Sequence, residues 1–361
     1  MFLGLFISIQ VVLFIVSYKT TLRYLDKIAT FDFKIVQNGI MVFKFDGKKG
    51  VGFLTAFAEA IGTQVEDGYL YFPPELGKGY FRGIDLHPQL KMMIRKYELY
   101  EDLILSRTAM EDGAHTIVLA FHNFYTEAEL KADPSIQNQL PAVQITSAGV
   151  NYEDFFPIHA HVNTVLISIH TDFLSALLKP KDGDDFLTNI LSGNQAFLYE
   201  AFISPEMQEV VIQVLNAKVA QNLSNFYFRI KAEELVYLFF SELLKREVIS
   251  GYPINAEDVK LIYGIRDGLM KDLSLPPKLP ELAQANGMSE SKMKKLFLQI
   301  FGTSIYHYYQ TLRMKAAARL LSDKGQSVGE IGYLLGFTNL SHFSRLFEKH
   351  HGIKPKQYSK R

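Results

Sequence analysis

The C-terminal quarter of this 361-residue chain carries one helix-turn-helix pattern twice, and that repeat constrains the fold more than any other feature. The first copy reads Glu281-Leu282-Ala283, Gly287, Met293, Leu296, Phe297 and Gly302; the second reads Glu330-Ile331-Gly332, Gly336, Phe343, Leu346, Phe347 and Gly352. From 281 to 330 and from 287 to 336 the step is 49 residues, and from 293 to 343 and from 302 to 352 it is 50. One residue is therefore added in the second turn.

Each copy has a physical reading of its own. A short helix from Leu279 to Asn286 meets Gly287, which can take the left-handed conformation that ends a helix, and Ser289 then opens the next helix as its N-cap. Met293, Leu296, Phe297 and Ile300 fall at i, i+3, i+4 and i+7, an apolar stripe that docks on the first helix and leaves Ser291, Lys294 and Lys295 facing outward. In the second copy Ser327 and Glu330 form a capping box and Gly336 makes the turn. Phe343, Leu346 and Phe347 face inward there, with Asn339, Ser341, His342, Ser344 and Arg345 outside.

A single amphipathic hairpin with a glycine turn is common in protein cores. Two in the same register, both with polar and basic outer faces, point to DNA reading. Between them Ser304 to Leu321 reads as one uninterrupted helix striped by Ile305, Leu312, Ala316, Ala317, Leu320 and Leu321, and Ser322 to Gly325 ends it. Such a helix is roughly 27 Å long at 1.5 Å per residue, close to the ~34 Å between successive major-groove faces of B-DNA. One chain could thus set two recognition helices in consecutive turns of the groove.

Residues 258–361 resemble the DNA-binding domain of the AraC/XylS family of bacterial transcription regulators. The matching run is Gly287-Met288-Ser289-Glu290, Lys294 to Phe297, Phe301-Gly302, Arg313 with Ala317 and Leu320-Leu321, Glu330-Ile331, Gly336-Phe337, Ser341 to Phe347, and Gly352 with Pro355 and Tyr358. Three positions depart from the family pattern: Gly332 stands where Ala is usual, His351 where an aromatic is usual, and Lys360 where Tyr-Arg is common. Gly332 should loosen its helix by about 0.5–1 kcal/mol. The resemblance implies promoter DNA and RNA polymerase as partners. Some proteins with this domain are alkyl-transfer repair enzymes that need a reactive Cys; this chain has none.

Charge agrees with that reading. The chain is neutral overall, with 38 basic and 38 acidic residues. From Pro276 to Arg361 there are 14 Lys plus Arg against 5 Asp plus Glu, a net of +9, which leaves −9 on the rest. A basic terminal domain supplies phosphate attraction where the motif needs it. The absence of Cys also removes disulfides and thiolate metal sites, and fits a reducing cytosol.

The N-terminal half carries short β-rich runs (Leu90 to Ile94, Leu103 to Arg107, Thr116 to Phe121, Val143 to Thr146, Thr164 to Ile169) separated by Gly, Pro, Asp and Asn signals, the pattern of an antiparallel sandwich or barrel. The family resemblance implies a cupin-like β domain over residues 40–171 that binds a small-molecule effector. Gly77 to Gly83 lacks a phosphate-loop Lys-Ser/Thr and reads as a turn. His159 and His161 with His170 have the spacing of a metal-binding strand, yet no Glu follows between Val162 and Thr171. Partly exposed strand histidines are the expectation, with no metal and no cofactor.

Residues 172–257 read as a helical linker and dimerisation region. Ala232 to Arg246, with Leu235, Leu238, Phe239 and Leu243 on one stripe and Tyr237 and Phe240 widening it, is too apolar for an exposed helix. It either packs on its own barrel or pairs two copies into a homodimer. Residues 1–17 are almost wholly apolar and are followed by Lys19, Arg23 and Lys27. Two readings stay open: a membrane anchor with the regulator facing the cytoplasm, or a start called too early, with Met41 one candidate for the true start.

The expected fold is α+β: an N-terminal cupin-like antiparallel β domain, a helical middle, and a C-terminal all-α domain with two helix-turn-helix motifs joined by a long helix. The expected function is cytoplasmic, effector-controlled transcription regulation. Lys294, Lys295 and Arg345 are assigned to base edges or phosphates, Ser291, Asn339, Ser341, His342 and Ser344 to finer readout, and Lys292 to the DNA backbone. The alternatives are a membrane-anchored sensor of envelope signals and an enzyme tethered to a DNA-binding domain. The enzyme needs a nucleophile elbow, metal-ligand spacing or cofactor loop that is not found, so no catalytic residue is assigned.

Overall fold

The computed structural model describes residues 32–360, except 37–39, 47–51, 109–114, 126–128, 131–135, 137–139, 148–151, 181–184, 193–196, 246–255 and 324. The apolar segment 1–17 lies outside the described residues. Among those described, no helix is long and apolar enough to cross a membrane.

The N-terminal part is built on two sheets. One has the order β1-β2-β6-β9, with β1 Asp32–Val36, β2 Ile40–Asp46, β6 Asp102–Thr108 and β9 Tyr152–Phe156. The other has seven strands in the order β11-β8-β7-β10-β5-β4-β3, with β3 Tyr69–Tyr71, β4 Gly77–His87, β5 Leu90–Leu99, β7 Thr116–His122, β8 Ala142–Ser147, β10 His161–His170 and β11 Leu198–Phe202. All pairings are antiparallel except β2 with β6. The five β runs expected from sequence are β5, β6, β7, β8 and β10, each somewhat longer than its run.

Period-two alternation sends the two faces of the large sheet into different cores. Leu90, Met92, Ile94, Ile117, Leu119, Phe121, Val165, Ile167 and Ile169 face a helical layer. That layer comprises α2 (Thr171–Leu178), α3 (Asp185–Ser192), α4 (Pro205–Leu215) and α5 (Gln221–Leu243). On the opposite face Leu70, Phe81, Tyr97 and Leu99 meet Met41, Phe43, Leu103 and Leu105 of the smaller sheet. A short helix, α1 (Phe53–Ala60), plugs this inter-sheet core with Phe53 and Phe57, whose rings contact Phe43, Phe72 and Phe81.

Two expectations are corrected. Gly77 to Gly83 is not a turn but the first part of β4. A Cβ at Gly77 or Gly79 would run into the backbone carbonyls of Glu98 or Lys96, and Gly79 holds φ +105°, so glycines let β4 approach β5 closely. The stretch from 172 is not purely helical either, because β11 returns from it to pair with β8.

The C-terminal part is all helix. α6 (Ala256–Lys271) leads to a pair, α7 (Leu279–Ala285) and α8 (Glu290–Phe301). The long α9 (Ile305–Ser322) follows, then a second pair, α10 (Val328–Leu334) and α11 (Leu340–His351), and the short α12 (Pro355–Tyr358). Ser289, Ser304 and Ser327 cap α8, α9 and α10, the last in a full capping box with Glu330. Gly287 and Gly336 hold φ +62° and +76° in the two turns, and Gly302 and Gly352 end α8 and α11 at φ +66° and +75°. Two residues separate Gly287 from the start of α8 and three separate Gly336 from the start of α11, which is the extra turn residue read from the repeat.

Candidate nucleic-acid interface

Each second helix of a pair is held by the stripe its spacing dictates. Met293, Leu296, Phe297 and Ile300 are buried in a core shared with Ile262 and Ile265 of α6 and Ile305, Tyr308 and Leu312 of α9. Phe343 and Phe347 are buried in a second core with Ile331, Leu335 and Phe337, closed by Met314, Ala317 and Leu321 of α9. Leu273 packs against both cores, and its carbonyl accepts a hydrogen bond from the Tyr309 hydroxyl at 2.8 Å. The two pairs therefore share one long helix and one connecting loop.

Ser291, Lys294 and Lys295 are exposed on α8, and Ser341, His342 and Arg345 on α11. Each helix presents its set on the side opposite its buried stripe. Ser344 is half-buried. Lys292 forms an ion pair of 2.7 Å with the buried Asp258 of α6, a structural tie between α6 and α8. Lys294 pairs with Glu290 one turn back on its own helix. Asn339 is the N-cap of α11, its side-chain oxygen accepting from the His342 amide at 3.0 Å. Arg345 has no ionic partner among the described residues.

Arg313, matched in the family signature, is buried in the seam between α9 and the second pair. Its Nε donates to the Leu335 carbonyl at 2.9 Å, and the guanidinium carbon lies 3.7 Å from the centre of the Phe337 ring. His351, at a position where an aromatic was expected, stacks on Phe347 with centroids 4.4 Å apart, and its Nε2 donates to the Met314 carbonyl at 3.1 Å. Gly332 leaves room that the tip of Leu340 and the ring of Phe343 occupy.

The sequence offered no sign of a polar network joining the N-terminal sheet to the first pair. Glu200 on β11 is buried and accepts from the Tyr263 hydroxyl at 2.6 Å and from Arg266 Nη1 at 3.3 Å, both on α6. Gln144 on β8 donates to the same Tyr263 oxygen at 2.8 Å. Burial and the Glu200 charge push the Tyr263 hydroxyl well above its usual range. Burial works against the Arg266 cation, but Glu200 and Asp267 outweigh it and hold the guanidinium protonated.

Two polar groupings lie elsewhere on the N-terminal sheets. Glu98 gathers Lys78 at 2.7 Å, His159 at 3.1 Å and His161 at 3.6 Å. Burial alone would raise this carboxyl, but Lys78 and His159 hold it below the usual range. Among the described residues no group of His, Cys, Asp or Glu is arranged to hold a metal ion. Arg95, Thr164 and His122 are direct cross-strand partners on β5, β10 and β7, in one row on the face that looks into the inter-sheet core. The Arg95 guanidinium lies 5.1 Å from the Phe53 ring centre and 5.4 Å from that of Phe81, without a carboxylate partner among the described residues. Burial, with the charges of Arg95 and Arg266, lowers His122 to about 4.

Residues 282–361 match a family model described as a helix-turn-helix domain. The transcriptional activator CfaD of Escherichia coli is 34% identical over 94 residues, 26% of this chain and 35% of that protein. The transcriptional activator AggR of Escherichia coli is 33% identical over 125 residues, 35% of this chain and 46% of that protein. The chain thus spans less than half the length of these curated relatives. The crystal structure of a transcriptional regulator with an AraC-type DNA-binding domain from Chromobacterium violaceum is 27% identical, covers 29% of this chain and 95% of its own, and superposes with a TM-score of 0.28. Residues 282–361 thus form a helix-turn-helix domain, similar to that of AraC-type transcription regulators.

Proposed function

We propose that the chain is a sequence-specific DNA-binding transcription regulator whose two helix pairs are helix-turn-helix reading heads for consecutive major-groove turns of promoter DNA. The observation that carries this reading is the duplication itself: two pairs, each turning on a left-handed glycine and each presenting a polar, basic helix face opposite its core. Ser291, Lys294, Lys295, Ser341, His342 and Arg345 face the DNA, Ser344 sits at the edge of that face, and Asn339 and Lys292 hold the reading helices in shape. Selection of the full chain on a random duplex library at two salt concentrations tests this. A two-part motif with centres about 10 bp apart and a steep salt slope supports it, and no enrichment at either salt rejects it.

The N-terminal sheets form a cupin-like effector domain. The row Arg95, Thr164 and His122, with a guanidinium that lies against two aromatic rings and has no carboxylate partner among the described residues, favours a small anionic effector. A melting temperature that rises with small organic acids in the wild type but not in Arg95→Gln tests that assignment. RNA polymerase is the partner in the reading, in line with relatives that are named activators. Regulation acts through binding, not through catalysis by this chain.

The same reading makes the protein a homodimer through α5. Its inner stripe, including Leu235, Phe239 and Leu243, is buried on its own domain, which corrects that stripe as a dimer contact. Its opposite face is apolar as well: Leu223 is 53% exposed, Phe226 65%, Ile230 47% and Tyr237 68%. A helix apolar on both sides calls for cover on both. A monomer in sedimentation at tens of micromolar, with and without DNA, would sink the dimer.

A further inference from the structure

The two helix pairs are not equally tied to the rest of the molecule. Among the described residues, the second core is closed by residues from Leu273 to Tyr358 alone. The first core takes in Leu140, Leu198 and Phe202 of the N-terminal domain. α8 packs directly on β11. Phe202 stacks on Tyr308 with ring centroids 4.7 Å apart and planes at 23°, and the Lys315 ammonium lies 4.2 Å from the centre of the Phe202 ring. Two residues earlier on the same strand, Glu200 holds Tyr263 and Arg266 of α6, and Gln144 of β8 completes the network. An edge strand of the N-terminal sheet therefore supplies both apolar packing and a buried charge-assisted clasp to the first pair.

We propose that Glu200 and Phe202 are positioning residues for the first reading helix: β11 sets the tilt of α8 relative to α11, and so the spacing of half-sites that one chain accepts. The proposal rests on the reading of the two pairs as DNA-binding heads. The physical reason is that two linked heads gain affinity from each other only when their geometry lets both engage at once. α9 holds the second head through Arg313 and the buried Phe343 and Phe347 with no help from the sheets. The first head borrows part of its core from them. A change in the N-terminal domain therefore reaches DNA through the first head alone, while the second keeps its grip.

The test uses the full chain and its Glu200→Gln and Phe202→Ala variants, selected on duplex libraries in which two half-sites are separated by every spacer from short to long. Tyr263→Phe, which deletes one hydroxyl and little volume, guards against a variant that fails to fold. The wild type should enrich one spacer. The variants should accept several, with affinity for the optimal two-part site reduced about tenfold and affinity for the isolated second half-site unchanged within about twofold. A variant that is merely less stable would weaken both half-sites in parallel and leave the spacer preference narrow. That result, or an unchanged spacer profile in all three variants, overturns the positioning role. No enrichment by the wild type overturns the DNA-reading assignment on which it rests, and so separates the two failures.

Discussion

The guanidinium of Arg313 reaches from the middle of α9 to the last-turn carbonyl of Leu335, donating through Nε at 2.9 Å and Nη2 at 2.5 Å. Both donors meet one acceptor at the point where α10 gives way to its turn. The charge is buried with no carboxylate partner among the described residues, and burial lowers its affinity for the proton. Arg313→Ala should cost about 2–4 kcal/mol, since it leaves a buried carbonyl unpaired and a void beside Phe337. Arg313→Lys should recover less than half of that, because an ammonium cannot fork. Urea denaturation of the full chain measures both.

The two glycines of the second pair should respond unequally to one added methyl. At Gly336 the backbone is left-handed at φ +76°, and a Cβ would run into the carbonyl oxygen of Ser274 in the connecting loop. Gly336→Ala should therefore cost about 2 kcal/mol or more. At Gly332 the obstacle is the tip of the Leu340 side chain, which can turn aside. Gly332→Ala gains roughly 1 kcal/mol in helix propensity and should leave stability within about 1 kcal/mol of wild type. Thermal melts compared side by side decide both.

Lys315 gives the docking of β11 a pH dependence of defined sign. Burial lowers its ammonium to about 8 from an ordinary value of 10.5. A lysine whose folded value is depressed is a cost below that value, and the cost fades as pH rises from about 8 towards 10.5. Stability attributable to this group should thus increase over that window, by on the order of 1–3 kcal/mol. Lys315→Met should melt higher than wild type at pH 7 and match it near pH 10.5. A wild-type advantage at pH 7 would contradict the assignment.

Arg345, exposed on α11, separates base reading from phosphate contact. If it reads a guanine edge, Arg345→Ala should cost about 1–3 kcal/mol of binding and relax preference at one base pair. A uniform loss on all sequences, with a salt slope shallower by about one, would make it a phosphate contact. Library selection with wild type and variant in parallel distinguishes the two.

Phe226→Asp combined with Tyr237→Asp should dissociate a dimer formed through the outer face of α5 while leaving the fold intact. Both side chains are largely exposed, so neither change disturbs the core. Sedimentation velocity and far-UV circular dichroism report the two quantities separately. A double variant that stays dimeric places the interface elsewhere.

What could be read in the sequence follows the range of the interaction concerned. Capping serines at 289 and 327, turn glycines at 287 and 336, and the stripe from Met293 to Ile300 all act within a few residues, and all stand where the repeat put them. The ion pair of Lys292 with Asp258 was not legible, because the two residues lie on different helices. Gly77 to Gly83 looked like a turn because the reason for those glycines is β5, which no local pattern announces. β11 was missed between helices for the same reason: its pairing partner is β8. The Ala232 to Arg246 window showed the buried stripe of α5 and stopped short of Leu223, Phe226 and Ile230 on the other side.

α9 has 18 residues and packs one helix pair along each half, so in the proposed reading it is a rod of roughly 27 Å that joins the two heads. The groove repeat of straight B-DNA is longer, at ~34 Å. A stiff ruler shorter than the interval it measures leaves the mismatch to the softer partner. If both heads seat at once, the duplex must curve toward the protein, at a cost of about 1–6 kcal/mol that depends on the deformability of base steps neither head touches. The sequence between the half-sites would then be selected for pliancy and not for contact.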